Sequence, residues 1–184
     1  MKIQNLLFGI IFFSCNILAQ GSISVNQIDS LYQNVIQDSA KLKKNIIISS
    51  DNRGTVDTTI FYFKDEELKL IYYHLCRCGA TSVDDHVYEE LLYDSNNLLF
   101  IRISQRIDYF DKGWTDESKS EISEQVIYLD YDGNCFKYFQ PREAEGNRIT
   151  VKDMLSAKPL IEKGCMYCPY NGNYGDEYLE KLKK

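Results

Sequence analysis

The chain is predicted to be an α+β domain: one amphipathic helix, then an antiparallel β-meander of about six or seven strands, then short C-terminal helical segments. Three observations carry that expectation. A capping box opens a helical apolar pattern at residue 24. From residue 45 onward the pattern changes to runs of β-branched and aromatic residues. Short polar breaks separate those runs at hairpin spacing.

The capping box is Ser24-Val25-Asn26-Gln27. The Ser24 hydroxyl can accept from the amide three residues on, and the Gln27 side chain can reach back to Ser24. Val25, Ile28, Leu31, Val35, Ile36 and Leu42 then recur at helical spacing, with Asp29, Gln33, Asn34, Gln37, Asp38 and Lys41 between them. This pattern predicts a helix over roughly 25–44 with one buried face. Asn45-Ile46-Ile47-Ile48-Ser49 begins the β section. Three hairpins follow from the flanks of polar breaks: Thr58–Phe63 with Leu68–Tyr73, His86–Tyr93 with Leu98–Ile103, and Ile122–Tyr131 with Cys135–Phe139. Their breaks are Lys64-Asp65-Glu66-Glu67, Asp94-Ser95-Asn96-Asn97 and Asp132-Gly133-Asn134, residue types that tolerate the positive φ of tight turns.

Residues 108–120 are polar, carry Trp114, the single tryptophan, and read as a long loop. A second capping box, Thr150-Val151-Lys152-Asp153, opens a short helix through Met154 and Leu155 that Pro159 limits. Gly164 to Gly175 is expected to be irregular, and Asp176 to Lys184 to form a helical turn or two. A twisted meander cannot leave both apolar faces wet, so the N-terminal helix is the natural cover for one of them.

The hairpin residues also carry a resemblance. Thr59-Ile60-Phe61-Tyr62-Phe63-Lys64-Asp65 with Leu68-Lys69, Tyr88-Glu89-Glu90-Leu91-Leu92-Tyr93-Asp94 with Asn97 to Ile101, and Val126-Ile127-Tyr128-Leu129 resemble a family of small exported bacterial proteins. The resemblance spans roughly residues 24–140. It implies an N-terminal helix, a meander of aromatic-rich hairpins and a second helix closing the domain. It implies no activity and transfers no functional residue.

Residues 1–19 read as a secretory signal. Lys2 precedes Leu6-Leu7-Phe8-Gly9-Ile10-Ile11-Phe12-Phe13, and Ile17-Leu18-Ala19 ends on a small residue before Gln20. Cleavage after Ala19 leaves a single domain over 20–184, with a cysteine-containing C-terminal segment from about 150. The alternative is a lipid anchor at Cys15, which would attach the protein to a membrane. Either way the protein is expected across the inner membrane, periplasmic, extracellular or held at the envelope. With Lys2 removed, 27 acidic side chains face 20 basic ones. That balance argues against nucleic acid, whose binders need a basic stripe.

Cysteine chemistry follows from export. Oxidising surroundings make disulfides the first reading of Cys76, Cys78, Cys135, Cys165 and Cys168. One arrangement staples the C-terminal segment to the meander near Cys76 or Cys78. The alternative is a metal or thiol-redox site. The C-x-C and C-x-x-C pairs supply four thiolates for a tetrahedral zinc site. His74-x-Cys76-x-Cys78 on one strand face, with His86 nearby, suits a soft metal such as Cu(I) or Zn(II). Cys165-x-x-Cys168 has the loop size of a dithiol oxidoreductase, but the turn-rich Tyr170-Asn171-Gly172-Asn173 does not continue as the helix such motifs require.

Catalytic motifs are sparse. The chain has two histidines and no Gly-x-Ser-x-Gly elbow, His-Glu-x-x-His run or phosphate loop. Glu66-Glu67, Asp84-Asp85 and Glu89-Glu90 are adjacent in sequence, and strand neighbours point to opposite faces, so none is a ready dyad. The leading expectation is therefore a non-enzymatic binding module without a cofactor, its partner a protein or envelope ligand met through the sheet or the Trp114 loop.

Overall fold

The computed structural model describes residues 23–52, 54–78, 83–109, 119–147, 158–170 and 172–183. The proposed signal with Cys15, the tip carrying Trp114, and the Thr150–Asp153 capping box lie outside the described residues.

Helix α1 spans Val25–Asp38 and opens on the expected capping box. Gln27 N–H donates to Ser24 Oγ at 3.3 Å, and Ser24 N–H donates to Gln27 Oε1 at 2.8 Å. The helix ends six residues before the predicted limit. Ser39 N–H bonds back to Ile36 O, and Lys41 folds onto Asp38 through both backbone and side chain. Lys43, Lys44 and Asn45 are then drawn into a sheet ladder opposite Phe63, Tyr62 and Phe61. Backbone pairing overrides the helical spacing of Leu42.

The sheet has eight antiparallel strands in chain order, more than the six or seven expected: β1 Lys43–Ser50, β2 Thr55–Lys64, β3 Glu67–Arg77, β4 Val83–Asp94, β5 Asn97–Tyr109, β6 Lys119–Leu129, β7 Cys135–Asn147 and β8 Ile161–Lys163. All three predicted hairpins form. Two close through two-residue turns in which both residues have positive φ, Asp65-Glu66 (50° and 68°) and Ser95-Asn96 (49° and 65°), the twist that a tight hairpin needs. The expected 108–120 loop is shorter at both ends. Asp108 and Ser120 are buried strand residues facing one another, and Ser120 Oγ donates to Asp108 Oδ1. Past β8 comes a 3-10 turn, Cys165–Tyr167, then helix α2, Asp176–Leu182.

Register places side chains on two faces. On one, Leu70, Leu92, Phe100 and Tyr128 form a cross-strand row. That row is in one buried cluster with Ile28 and Tyr32 of α1. On the other, Phe61, Ile71 and Leu91 pack with Tyr178 of α2, and Ile101, Ile127, Leu129 and Tyr138 pack with Cys135, Cys168, Tyr170 and Tyr174. The split is visible in one dipeptide. Glu90 accepts from Tyr32 Oη at 2.8 Å, whereas Glu89 accepts from Tyr178 Oη at 2.8 Å. Burial raises the Glu89 pKa, and the Tyr178 bond acts against that rise.

Gly175 sets the entry of α2. Its φ is +95°, and an added Cβ would lie 2.7 Å from Tyr93 Oη and 2.8 Å from Leu91 Cδ2. Both the left-handed backbone and the lack of room demand glycine. Gly175→Ala should therefore lower stability by about 2–3 kcal/mol. Denaturant unfolding checks this; a change under about 0.5 kcal/mol would show that α2 docks loosely.

Candidate functional site

Side-chain alternation on β3 and β4 assembles the first cluster. His74 and Cys76 share a face on β3, and Tyr88 and His86 stand directly opposite them on β4. Cys78 follows just past the end of β3. The structure pairs Cys76 with Cys78 as a disulfide, their Cα atoms 5.5 Å apart. His86 Nε2 lies 3.7 Å from Cys78 Sγ, and His86 Nδ1 lies 3.2 Å from His74 Nε2. The donor atoms of Cys76, Cys78 and His86 all fall within 4.8 Å of one another, and all three residues are half-buried.

The imidazoles are held by stacking. The rings of His74 and Tyr88 are nearly parallel, with centroids 4.5 Å apart, and His86 stacks on His74 at 5.5 Å. Burial, and then the neighbouring His86, push the His74 pKa down. A neutral His74 suits the close imidazole pair. With its proton on Nδ1, His86 donates to His74 Nε2 and leaves the Nε2 lone pair facing the sulfurs. Asp85, adjacent in sequence, points to the other face, where it accepts from Arg77 at 3.0 Å and Gln105 at 2.9 Å. Tyr88 was not anticipated as part of the site. Its spacing two residues from His86 on a strand is the signal that would have found it.

The remaining cysteines form a second cluster. Cys135 at the start of β7 has its Sγ 3.0 Å from that of Cys165. Cys168 caps the 3-10 turn through its N–H to Cys165 O at 2.9 Å. All three are half-buried. Burial, then hydrogen bonding to Cys165 and Cys168, raises the Cys135 thiol pKa.

The two clusters stay apart. Cys76 belongs to the cross-sheet row that runs through His86, Arg106 and Ile122 to Ala144 on β7. Cys135 begins β7 nine residues before Ala144, ~30 Å away along a strand. The expected staple from Cys165 or Cys168 to Cys76 or Cys78 is therefore not formed, nor is a four-thiolate site drawn from both pairs. Short β8 directs the C-terminal segment instead, pairing Tyr138 with Lys163, Phe139 with Glu162 and Gln140 with Ile161. Among the described residues, the lining of a cleft of about 410 Å³ that includes Gln105, Glu121, Ser123, Glu143 and Lys158 has no cysteine or histidine. No helix among the described residues is long and apolar enough to cross a membrane. Comparisons with family models, curated proteins and solved structures return no match.

Proposed function

We propose that the protein is an exported, non-enzymatic binding protein whose ligand is a soft metal ion, held by Cys76, Cys78 and His86. The observation that carries this reading is the convergence of two sulfurs and one imidazole within 4.8 Å at the end of one hairpin. Two thiolates and a neutral imidazole form a donor set for Zn(II) or Cu(I) rather than for a hard cation. Three protein ligands leave a position open for a further donor. His74 supports the reading from behind. By accepting from Nδ1 of His86 it orients the ring and makes Nε2 more basic, the usual part of an outer-shell partner. Export rests on the signal pattern of residues 1–19, and the alternative surface around Trp114 gains no support, because that tip lies outside the described residues.

Ligation requires both sulfurs as thiolates. Oxidation of the pair to a disulfide removes two electrons and two protons and removes two ligands. Metal occupancy and Cys76–Cys78 oxidation thus exclude each other, which makes binding dependent on reductant.

The test is titration of reduced, metal-free full-length protein with Zn(II) and with Cu(I) against a chromophoric chelator, in a Cys165→Ser/Cys168→Ser background. One equivalent of one of these ions should bind. Cys76→Ser, Cys78→Ser and His86→Ala should each weaken it at least 100-fold, and His74→Ala by roughly 10–100-fold. Affinity indifferent to the three ligand substitutions, or no binding of either ion, overturns the proposal.

A further inference from the structure

We propose that Cys135, Cys165 and Cys168 form a thiol–disulfide exchange centre in which Cys135 is the shared sulfur, bridged to Cys165 or to Cys168 while the third thiol remains free to attack. It is independent of the metal site, which uses other residues at the other end of the sheet.

Three observations lead there. Cys135 lies 3.0 Å from Cys165, and Cys168 packs with Cys135 against the same buried cluster of Ile101, Ile127, Leu129 and Tyr138. The spacing of Cys165 and Cys168, one turn of 3-10 helix, brings both to the same β7 sulfur. The intervening residues, Met166 and Tyr167, are 85% and 67% exposed, so the turn presents an apolar patch beside its sulfurs. An exposed Met and Tyr flanking an exchangeable thiol suit contact with a thiol- or disulfide-bearing peptide. Cys135 itself is the poorer nucleophile of a shared pair, since burial and its sulfur neighbours hold it protonated.

The chemistry balances with a small-molecule disulfide, such as oxidised glutathione, as the oxidant. The Cys165 thiolate attacks one of its sulfurs, forming a mixed disulfide and releasing one small thiolate. Cys135 gives its proton to water and attacks Cys165 Sγ, forming the Cys135–Cys165 bond and releasing the second small thiolate. Two protein thiols are oxidised and one small disulfide is reduced. The Cys168 thiolate then attacks Cys135 Sγ. The Cys135–Cys168 bond forms, the Cys135–Cys165 bond breaks, and Cys165 leaves as a thiolate that takes up the proton Cys168 lost.

Sequence supplies the assay. Cyanogen bromide cuts after Met1, Met154 and Met166, which places Cys135, Cys165 and Cys168 on three different fragments. Reduced full-length protein is equilibrated with oxidised glutathione, free thiols are alkylated, and the cleaved fragments are identified by mass. The wild type should yield both the 2–154/155–166 and the 2–154/167–184 links. Cys165→Ser should retain only the second, Cys168→Ser only the first, and Cys135→Ser neither. If Cys135→Ser fails to fold, tryptic cleavage of the linked 2–154 fragment at Arg102, Arg106 and Lys119 parts Cys135 from Cys15, Cys76 and Cys78 and shows which of them carries the link. A dominant link between 155–166 and 167–184, or three alkylated thiols in the wild type, overturns the proposal.

Discussion

Phe100→Ala should lower the unfolding free energy by about 3–5 kcal/mol. Phe100 is 1% exposed and sits where the sheet meets α1. Its ring centroid lies 5.1 Å from that of Tyr32 on the helix and 5.3 Å from that of Tyr128 on β6. Truncation removes the apolar burial of the ring and two aromatic contacts, and it leaves a cavity that two flanking tyrosines cannot fill while keeping their own partners. Tyr128 Oη donates to Asp29 at 2.8 Å and Tyr32 Oη to Glu90 at 2.8 Å. Collapse of either ring into the void would break one of those bonds, so the upper part of the range applies. For a chain of this size that corresponds to a fall in Tm of roughly 10 °C. Thermal and denaturant unfolding of the variant measure it. A loss below about 1.5 kcal/mol would mean that α1 contributes little to the stability of the sheet.

The parts of this architecture that were legible in the sequence are those decided by neighbouring residues. The capping box at Ser24, the three hairpins and the opposite faces of Glu89 and Glu90 each follow from local chemistry. Strand β1 was partly hidden, because Lys43 and Lys44 continue a helical pattern until Phe63 and Tyr62 pair with them. Strand β8 was invisible. Its three residues are all exposed and carry no alternation, and only the ladder to Tyr138, Phe139 and Gln140 defines it.

The same distinction separates the two sulfur clusters. His74, Cys76, Cys78 and His86 could be grouped from sequence because one hairpin carries all four. The meeting of Cys135 with Cys165 depends on how β8 returns to β7, a tertiary event 30 residues away. Spacing alone joined the C-x-C to the C-x-x-C, and the topology instead gives each its own neighbourhood.

Arg102 offers the second large effect, and it tests how charge fastens α1. Its Nη1 lies 3.1 Å from both Glu90 Oε2 and Tyr32 Oη, and its Nε lies 3.4 Å from Glu124 Oε1. The guanidinium also covers the Tyr32 ring at 5.0 Å. Glu124 has a second partner in Arg142, whereas among the described residues the cation paired with Glu90 is Arg102. Removing the arginine therefore strands Glu90 beside a tyrosine, and burial, with Glu90 next in importance, already raises the pKa of that tyrosine. A fully buried pair broken this way costs about 3–5 kcal/mol; the part of Arg102 that meets water reduces the figure to about 2–3 kcal/mol. Arg102→Met keeps the stem and deletes the charge, so its loss isolates the electrostatic contribution. Glu90→Gln alone should cost about 1 kcal/mol, since Tyr32 retains an acceptor. The double variant should recover at least about 1 kcal/mol of the summed losses, because no unpaired carboxylate remains at position 90. Hydrogen exchange across Val25–Asp38 supplies the structural readout, with Arg102→Met speeding exchange in α1 and the double variant restoring part of the protection. Strict additivity, with α1 protection unchanged, would show that apolar contact through Ile28 and Phe100 holds the helix without help from this network.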